Sequence, residues 1–139
     1  MKMSFCYRLG YKLGRKVRFF IQRCKRGFDD SETWDLQDTF YRWLLPRLKR
    51  FYEVTRGYPT NYKTFKQWKN ELKSRVKQLE KIVKINDMDF TDYKYVPKDK
   101  LRSMKAIGTP KTTINMWAKD YCVKDFNDWF REKLSNLWW

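Results

Sequence analysis

Residues 64–84 read TFKQWKNELKSRVKQLEKIVK, the strongest fold signal in the chain. The apolar residues of this stretch recur at intervals of three or four, as on one face of an amphipathic helix: Phe65, Trp68, Leu72, Val76, Leu79 and Val83. Thr64 and Gln67 have the spacing of an N-terminal capping box. Opposite charges four residues apart, such as Glu80 and Lys84, support the helix on its outer face. The stretch therefore predicts a helix with one buried face.

The same spacing recurs on both sides of this stretch. Further helical stripes lie in residues 1–26, between Leu36 and Phe51, from Pro97 to about Ala106, and from Thr112 or Thr113 onwards. Residues 86–100 lose the periodicity and predict an irregular connection. Pro46 indicates either a kink or two short helices, and the last helix is either continuous or interrupted near Cys122. We predict an all-α fold, a single domain over residues 1–139 built as a bundle of four or five helices.

The chain is strongly basic, and its charge is unevenly placed. It has 32 Lys and Arg against 16 Asp and Glu, a formal net charge of +16, and no histidine. Nine of the basic residues, and no acidic residue, fall within residues 1–26, which predict a basic amphipathic helix. A field of this size attracts phosphate-rich molecules or acidic membranes. We therefore expect an anionic partner.

The residue inventory excludes several catalytic classes. Without histidine, a Ser-His-Asp triad, a Cys-His pair and a His-ligated zinc are impossible. The chain also has no GxxxxGK[ST] phosphate loop and no GxGxxG motif. We expect a non-enzymatic protein with no cofactor and no metal. An enzyme that uses only carboxylates and magnesium is the alternative.

Cysteine usage and hydropathy indicate the compartment. Cys6, Cys24 and Cys122 form no CxxC spacing, which is typical of reduced thiols inside a cell. No apolar run approaches the roughly 20 residues that span a bilayer. We therefore expect an intracellular protein without a transmembrane segment.

Acidic residues cluster directly after the basic N-terminal helix: Asp29, Asp30, Glu32, Asp35 and Asp38. One interpretation is a site for a hard cation, which prefers oxygen ligands. The other is a helix start, capped by Asp30 or Ser31, whose acids balance the charge of the basic helix. We favour the second interpretation.

Aromatic and basic residues alternate through the middle of the chain, at Arg42-Trp43, Arg47, Lys49-Arg50-Phe51-Tyr52, Tyr62-Lys63 and Lys66 beside Trp68. Rings can stack on nucleobases, each stack worth roughly 1–3 kcal/mol, while arginines hold phosphates. The alternative is that the rings form the core and the charges only a solvated face. The candidate ligand-binding residues are Trp34, Arg42, Arg47, Arg50 and Tyr58.

One part of the sequence resembles a known family. Residues 27–36 read GFDDSETWDL, residues 45–51 read LPRLKRF, and residues 57–59 read GYP. This order is similar to that of small, mostly uncharacterised proteins of tailed bacteriophages, whose pattern runs glycine-aromatic-x-Asp-x-acid-x-Trp-x-Leu, then a helix with Pro and Arg, then Gly-Tyr-Pro. The family's usual Leu-Asp pair is here Leu36-Gln37, with the acid shifted to Asp38.

The resemblance covers roughly residues 26–59 and implies a phage origin and action in the cytoplasm of the infected bacterial host. Such phages carry small accessory proteins that blunt host defence, and some of these sequester nucleotide second messengers. The first hypothesis is such a sponge, which holds its ligand alone or as a homo-oligomer. The alternatives are sequence-independent nucleic-acid binding through the N-terminal helix and direct inhibition of a host defence protein.

Overall fold

The computed structural model describes the backbone of residues 5–137 and the side chains of residues 12–137. Within that range the chain forms five α-helices and no strand, which confirms the predicted all-α class. The helices are α1 (Phe5–Arg26), α2 (Leu36–Val54), α3 (Phe65–Lys84), α4 (Lys98–Ala106) and α5 (Lys111–Lys133). Short 3₁₀ turns lie between or after them, at Asp30–Thr33, Asp87–Asp89, Tyr93–Tyr95 and Leu134–Asn136. None of the helices described is both long enough and apolar enough to cross a bilayer.

The chain divides into two compact units. The first extends to Phe40 and contains α1 and the turn Asp30–Thr33. The second begins at Tyr41 and contains the greater part of α2 together with α3, α4 and α5. The early part of the predicted N-terminal stripe, at Phe5 and Leu9, falls outside the described side chains.

Helix α3 supplies the centre of the second unit's core. Its residues Trp68, Leu72 and Leu79 are at most 1% exposed, as the spacing predicted. They pack in one cluster with α5, whose Cys122 and Phe126 are fully buried. Burying side chains of this size stabilises a fold by roughly 1.5–3 kcal/mol each, so the α3–α5 contact contributes substantially to the stability of this unit.

Local signals account for most helix ends. The Thr64 hydroxyl accepts a hydrogen bond from the Gln67 amide at 3.2 Å, which confirms the predicted cap. The Gln67 side chain bonds back to the amide of Lys63, one residue earlier than a capping box requires. Gly27 follows α1 with a φ of +83°, a left-handed conformation that terminates a helix at low cost for glycine.

The two points that the sequence left open are resolved in favour of continuous helices. Pro46 lies inside α2, which runs without a break from Leu36 to Val54. Helix α5 passes through Cys122 without interruption. The proline lacks only one amide hydrogen bond, while Leu44, Leu45 and Leu48 are buried and hold both halves of α2 on the core.

Residues 86–100 contain two 3₁₀ turns and the start of α4, and α5 fixes their path. The buried Asn115 accepts a hydrogen bond from the Tyr93 hydroxyl at 2.6 Å and donates one to the carbonyl of Met88. Phe90 enters the core and is fully buried. The backbone of the segment is therefore irregular, but hydrogen bonds to α5 and the buried Phe90 side chain fix its position.

Candidate functional site

The candidate site lies where α2 ends and the chain turns towards α3. Helix α2 stops at Val54, and Thr55 is buried just beyond it. The Thr55 amide donates to the carbonyl of Phe51 at 2.9 Å, and its hydroxyl donates to the carbonyl of Gly57 at 3.3 Å. The first bond completes the last turn of the helix, and the second holds the turn that follows it. Residues 56–59 and the last two turns of α2 line one cavity.

A cavity of about 860 Å³ opens at this turn. Residues from three parts of the second unit line it: Arg47, Arg50, Phe51, Val54, Arg56, Gly57, Tyr58, Pro59 and Asn136. The volume is within the roughly 300–1,000 Å³ of small-molecule sites. The lining combines three arginines with apolar and aromatic side chains, and none of its described residues is a carboxylate.

Two of the three arginines are oriented by neighbours that leave most of their donors available. The Arg47 guanidinium lies 4.1 Å from the centroid of the Trp43 ring and donates one hydrogen bond, of 2.8 Å, to the Trp43 carbonyl. Arg50 pairs with Glu53 at 3.1 Å, but both side chains are mostly exposed. Surface pairs of this kind are worth roughly 0–1 kcal/mol, so a phosphate can compete with Glu53. The third arginine, Arg56, has no hydrogen bond or ion pair within residues 12–137.

The end of α2 would by itself disfavour an anion, because a helix C-terminus carries about half a negative charge. Lys69 of α3 offsets this effect, since its ammonium donates a hydrogen bond to the carbonyl of Tyr52. It also lies 4.6 Å from the centre of the Tyr52 ring. Three guanidinium charges therefore act in the cavity against a helix end that is already partly neutralised.

Tyr58 supplies the aromatic wall. Its side chain is 47% exposed, and its ring packs at 53° on Phe65, with 6.4 Å between the ring centroids. This contact holds one side of the ring in the protein while the remainder is open to solvent. A ring held in this way can stack on a planar ligand.

Three of the five candidate residues from the sequence meet at this cavity, namely Arg47, Arg50 and Tyr58. Arg42 is exposed on α2 but does not line the cavity. Trp34 belongs to the first unit, where its ring meets Phe19 edge-on with 6.2 Å between centroids. The ligand-binding roles of all five residues stay predictions.

Sequence reasoning passed over Arg56 and Asn136 at this site. A signal for Arg56 was present, because it precedes Gly57-Tyr58-Pro59 in the predicted turn. No such signal existed for Asn136, which comes from the 3₁₀ turn after α5 and reaches the cavity only through the packing of α5.

Three members of the acidic cluster, Asp29, Asp30 and Glu32, bind side chains of α1. Asp30 accepts hydrogen bonds from Gln22, Arg26 and Arg18, with 2.7 Å to Gln22 and 2.9 Å to Arg18. The bond from Gln22, with those from the two arginines, lowers the pKa of Asp30 to about 2. Arg23 pairs with both remaining acids of the turn, Asp29 at 2.8 Å and Glu32 at 3.0 Å.

This geometry supports the interpretation of capping and charge balance, with one correction. The predicted cap at Asp30 or Ser31 is wrong, because the N-cap of the turn is the buried Asp29. Asp29 accepts from the Ser31 amide at 2.8 Å, and its own amide donates to Glu32. The hydrogen bond that the Ser31 hydroxyl donates to Asp29 is the main reason that the pKa of Asp29 is lowered. No grouping of three metal-ligating side chains occurs within the described residues.

A second cavity of about 400 Å³ in the second unit has a different character. Its central carboxylate, Glu71, accepts hydrogen bonds from the Tyr62 hydroxyl at 2.6 Å and the Trp129 indole at 2.7 Å. Burial and the bond to Glu71 raise the pKa of Tyr62 far above its ordinary value. Because these polar groups already bind one another, they serve the α3–α5 contact and we do not assign a ligand to them.

Comparison with known proteins gives no match to any family model, to any curated protein or to any solved structure. The case for function therefore depends on the geometry of the arginine-lined cavity.

Proposed function

We propose that this protein binds and sequesters a nucleotide that carries several phosphates, without turning it over. The observation that carries the proposal is the convergence of Arg47, Arg50 and Arg56 with the Tyr58 ring around one cavity, whose lining among residues 12–137 includes no carboxylate. This cavity, with Arg47, Arg50, Arg56 and Tyr58 in its lining, is hereafter called the arginine cavity.

Each component of the arginine cavity suits one part of such a ligand. Guanidinium groups match phosphate oxygens with two parallel hydrogen bonds, and they stay charged at every physiological pH. The Tyr58 ring, with Phe51 beside it in the lining, offers a surface for a nucleobase. A net charge of +16 increases the rate at which an anion reaches the protein.

Capture is favoured over catalysis by the chemistry of the same lining. An arginine side chain does not lose its proton in a protein, so it stabilises negative charge but does not act as a general base. The arginines of the lining hold phosphates in place, and its described residues include no carboxylate or histidine that would accept a proton from an attacking water.

The resemblance to tailed-phage proteins gives the proposal a biological setting. In that setting the protein acts in the cytoplasm of the infected bacterium and removes a nucleotide second messenger of host defence from solution. A second copy of the chain could close the open side of the cavity, so the proposal includes a homo-oligomer as the form that binds most tightly.

Calorimetric titration of the full chain tests the proposal. The ligands are ATP and cyclic di-AMP, with inorganic triphosphate and adenosine as the two halves of a nucleotide. We expect at least one nucleotide to bind more tightly than either half. Arg56→Gln should weaken binding about tenfold or more, because a hydrogen bond to a charged group is worth roughly 1.5–3 kcal/mol.

Arg102→Gln is the matched control, since Arg102 is an exposed arginine of α4 that does not line the cavity. It removes the same charge and should leave affinity nearly unchanged. Equal losses in the two variants would show that only net charge matters and would contradict the assigned site. Binding of adenosine as tight as that of the nucleotides would contradict the role of the arginines.

A further inference from the structure

Helix α1 has an apolar face that the described part of the chain leaves uncovered. From Lys12 to Arg26 its apolar residues recur at three- and four-residue intervals at Leu13, Val17, Phe20, Ile21 and Cys24. With 100° of rotation per residue, these side chains share one side of the helix. Leu13 is 64% exposed and Phe20 is 67% exposed. Apolar side chains in a continuous stripe, as opposed to single exposed ones, indicate an interaction surface.

The first unit holds α1 by the opposite side. Its acidic turn bonds to Arg18, Gln22 and Arg26 through Asp30, and the helical rotation places these three residues across the helix from Phe20. The Trp34 ring packs on Phe19, which also lies away from the apolar stripe. The contacts within the first unit therefore fix the polar face and leave the apolar face directed outwards.

Cations remain available beside that apolar face. Lys12, Lys16 and Lys25 are exposed, and none has an ion pair within the described residues. Lys16 and Lys25 border the apolar stripe on its two sides. From Lys12 to Arg26 the helix contains no acidic residue. The uncovered surface therefore combines an apolar stripe with a positively charged border.

We propose that α1 binds the surface of an anionic lipid bilayer. In this arrangement the helix lies parallel to the membrane plane, with Leu13, Val17 and Phe20 among the upper acyl chains and the bordering lysines at the lipid phosphates. Basic amphipathic helices with this division of faces bind membrane interfaces through buried apolar area together with attraction to anionic headgroups. Long lysine stems allow the ammonium groups to reach the headgroups from the edge of the apolar stripe.

The apolar stripe favours lipid over nucleic acid as the partner. A DNA or RNA backbone would neutralise the same cations, but it would leave Leu13 and Phe20 in water. A bilayer interface satisfies both parts of the surface at once. The inference depends on α1 alone and not on the arginine cavity, so the two proposals can fail independently.

Vesicle flotation of the full chain tests the proposal, with vesicles of phosphatidylcholine alone and of phosphatidylcholine mixed with phosphatidylglycerol. We expect binding to the anionic vesicles and little to the neutral ones. The double variant Leu13→Ser/Phe20→Ser should bind at least about tenfold more weakly, because replacing two large apolar side chains with serine removes most of the free energy of transfer into the bilayer.

Ile107→Ser is the matched control, because Ile107 is 81% exposed in the second unit and lies outside α1. It should bind vesicles as the unmodified chain does. A second double variant, Lys16→Glu/Lys25→Glu, keeps the apolar stripe and should also lose binding to anionic vesicles. Far-ultraviolet circular dichroism measures whether each variant keeps its helices.

Three results would overturn the proposal. The first is an absence of vesicle binding by the unmodified chain, and the second is equal binding to neutral and anionic vesicles. The third is unchanged binding of Leu13→Ser/Phe20→Ser, which would leave only a non-specific charge contact. Tight binding of a DNA duplex that the serine variant retains, without vesicle binding, would assign α1 to nucleic acid instead.

Discussion

Helices α1 and α3 have nearly the same apolar spacing but opposite environments. In α3 the stripe is covered, with Trp68 and Leu72 at most 1% exposed. In α1 the stripe is open, with Leu13 and Phe20 more than 60% exposed. Spacing alone therefore identifies an amphipathic helix but does not say what covers its apolar face.

The polar faces of the two helices show what distinguishes them. Helix α3 carries acids that bond to other helices of its own unit: Glu71 binds Trp129 of α5, and Glu80 pairs with Lys49 of α2. Between residues 12 and 26, the polar face of α1 carries cations and Gln22 but no acid, and several of these cations bind the acids that follow the helix. In α3 a polar face with both acids and bases accompanies a buried apolar stripe, whereas in α1 a polar face without acids accompanies an exposed one.

The largest expected effect is in α3. Trp68→Ala removes a buried indole from the core and should lower the free energy of unfolding by roughly 3–5 kcal/mol. Chemical denaturation followed by circular dichroism measures this change. A loss below roughly 1 kcal/mol, the size typical of surface positions, would contradict the account of α3 as the centre of the core.

A smaller effect is expected at the acidic turn, where the stability that the turn gives to the first unit depends on pH. Because the pKa of Asp30 is lowered from 3.8 to about 2, its bonds to α1 contribute their full stabilisation of the first unit at pH values above 3.8. That contribution is lost as the pH falls from 3.8 through about 2. Titration of the Asp30 carboxyl carbon by nuclear magnetic resonance should give a pKa near 2.

Arg26→Gln provides the comparison, since it removes one of the donors to Asp30. In that variant the pKa of Asp30 should rise towards 3.8. An Asp30 carboxyl that titrates at its ordinary value in the unmodified chain would contradict the bonding of the acidic turn to α1.

The smallest expected effect is in α1. Phe20→Ala removes an exposed ring and should change the free energy of unfolding by less than about 0.5 kcal/mol, as surface substitutions commonly do. The same denaturation experiment as for Trp68→Ala measures it. A loss of roughly 3 kcal/mol or more, the size expected for a buried ring, would show that the fold covers the apolar face of α1.

Most of the fold followed from the sequence because helix formation depends on local order. The spacing of Trp68, Leu72 and Leu79 predicted both the helix and its buried face, and Gly27 marked the end of α1. The cap of the acidic turn was misplaced by one or two residues, because Asp29, Asp30 and Ser31 are all good capping residues. Only the backbone conformation distinguishes among them.

The candidate site followed from the sequence in part. Arg47 and Arg50 lie three residues apart on one helix, and Tyr58 follows in the next turn, so their proximity is a local consequence of α2. Asn136 joins them from the far end of the chain through the packing of α5 against α3. A long-range contact of this kind has no periodic signature in the sequence.

The most direct test of nucleotide capture is mass spectrometry of what the purified protein releases on denaturation. The protein is expressed in bacteria with an active nucleotide-signalling defence, beside the Arg56→Gln and Arg102→Gln variants. We predict that the unmodified chain and Arg102→Gln release the same nucleotide in a near-stoichiometric amount, while Arg56→Gln releases much less. Release of no nucleotide by any of the three, or equal release by all three, would contradict capture in the arginine cavity.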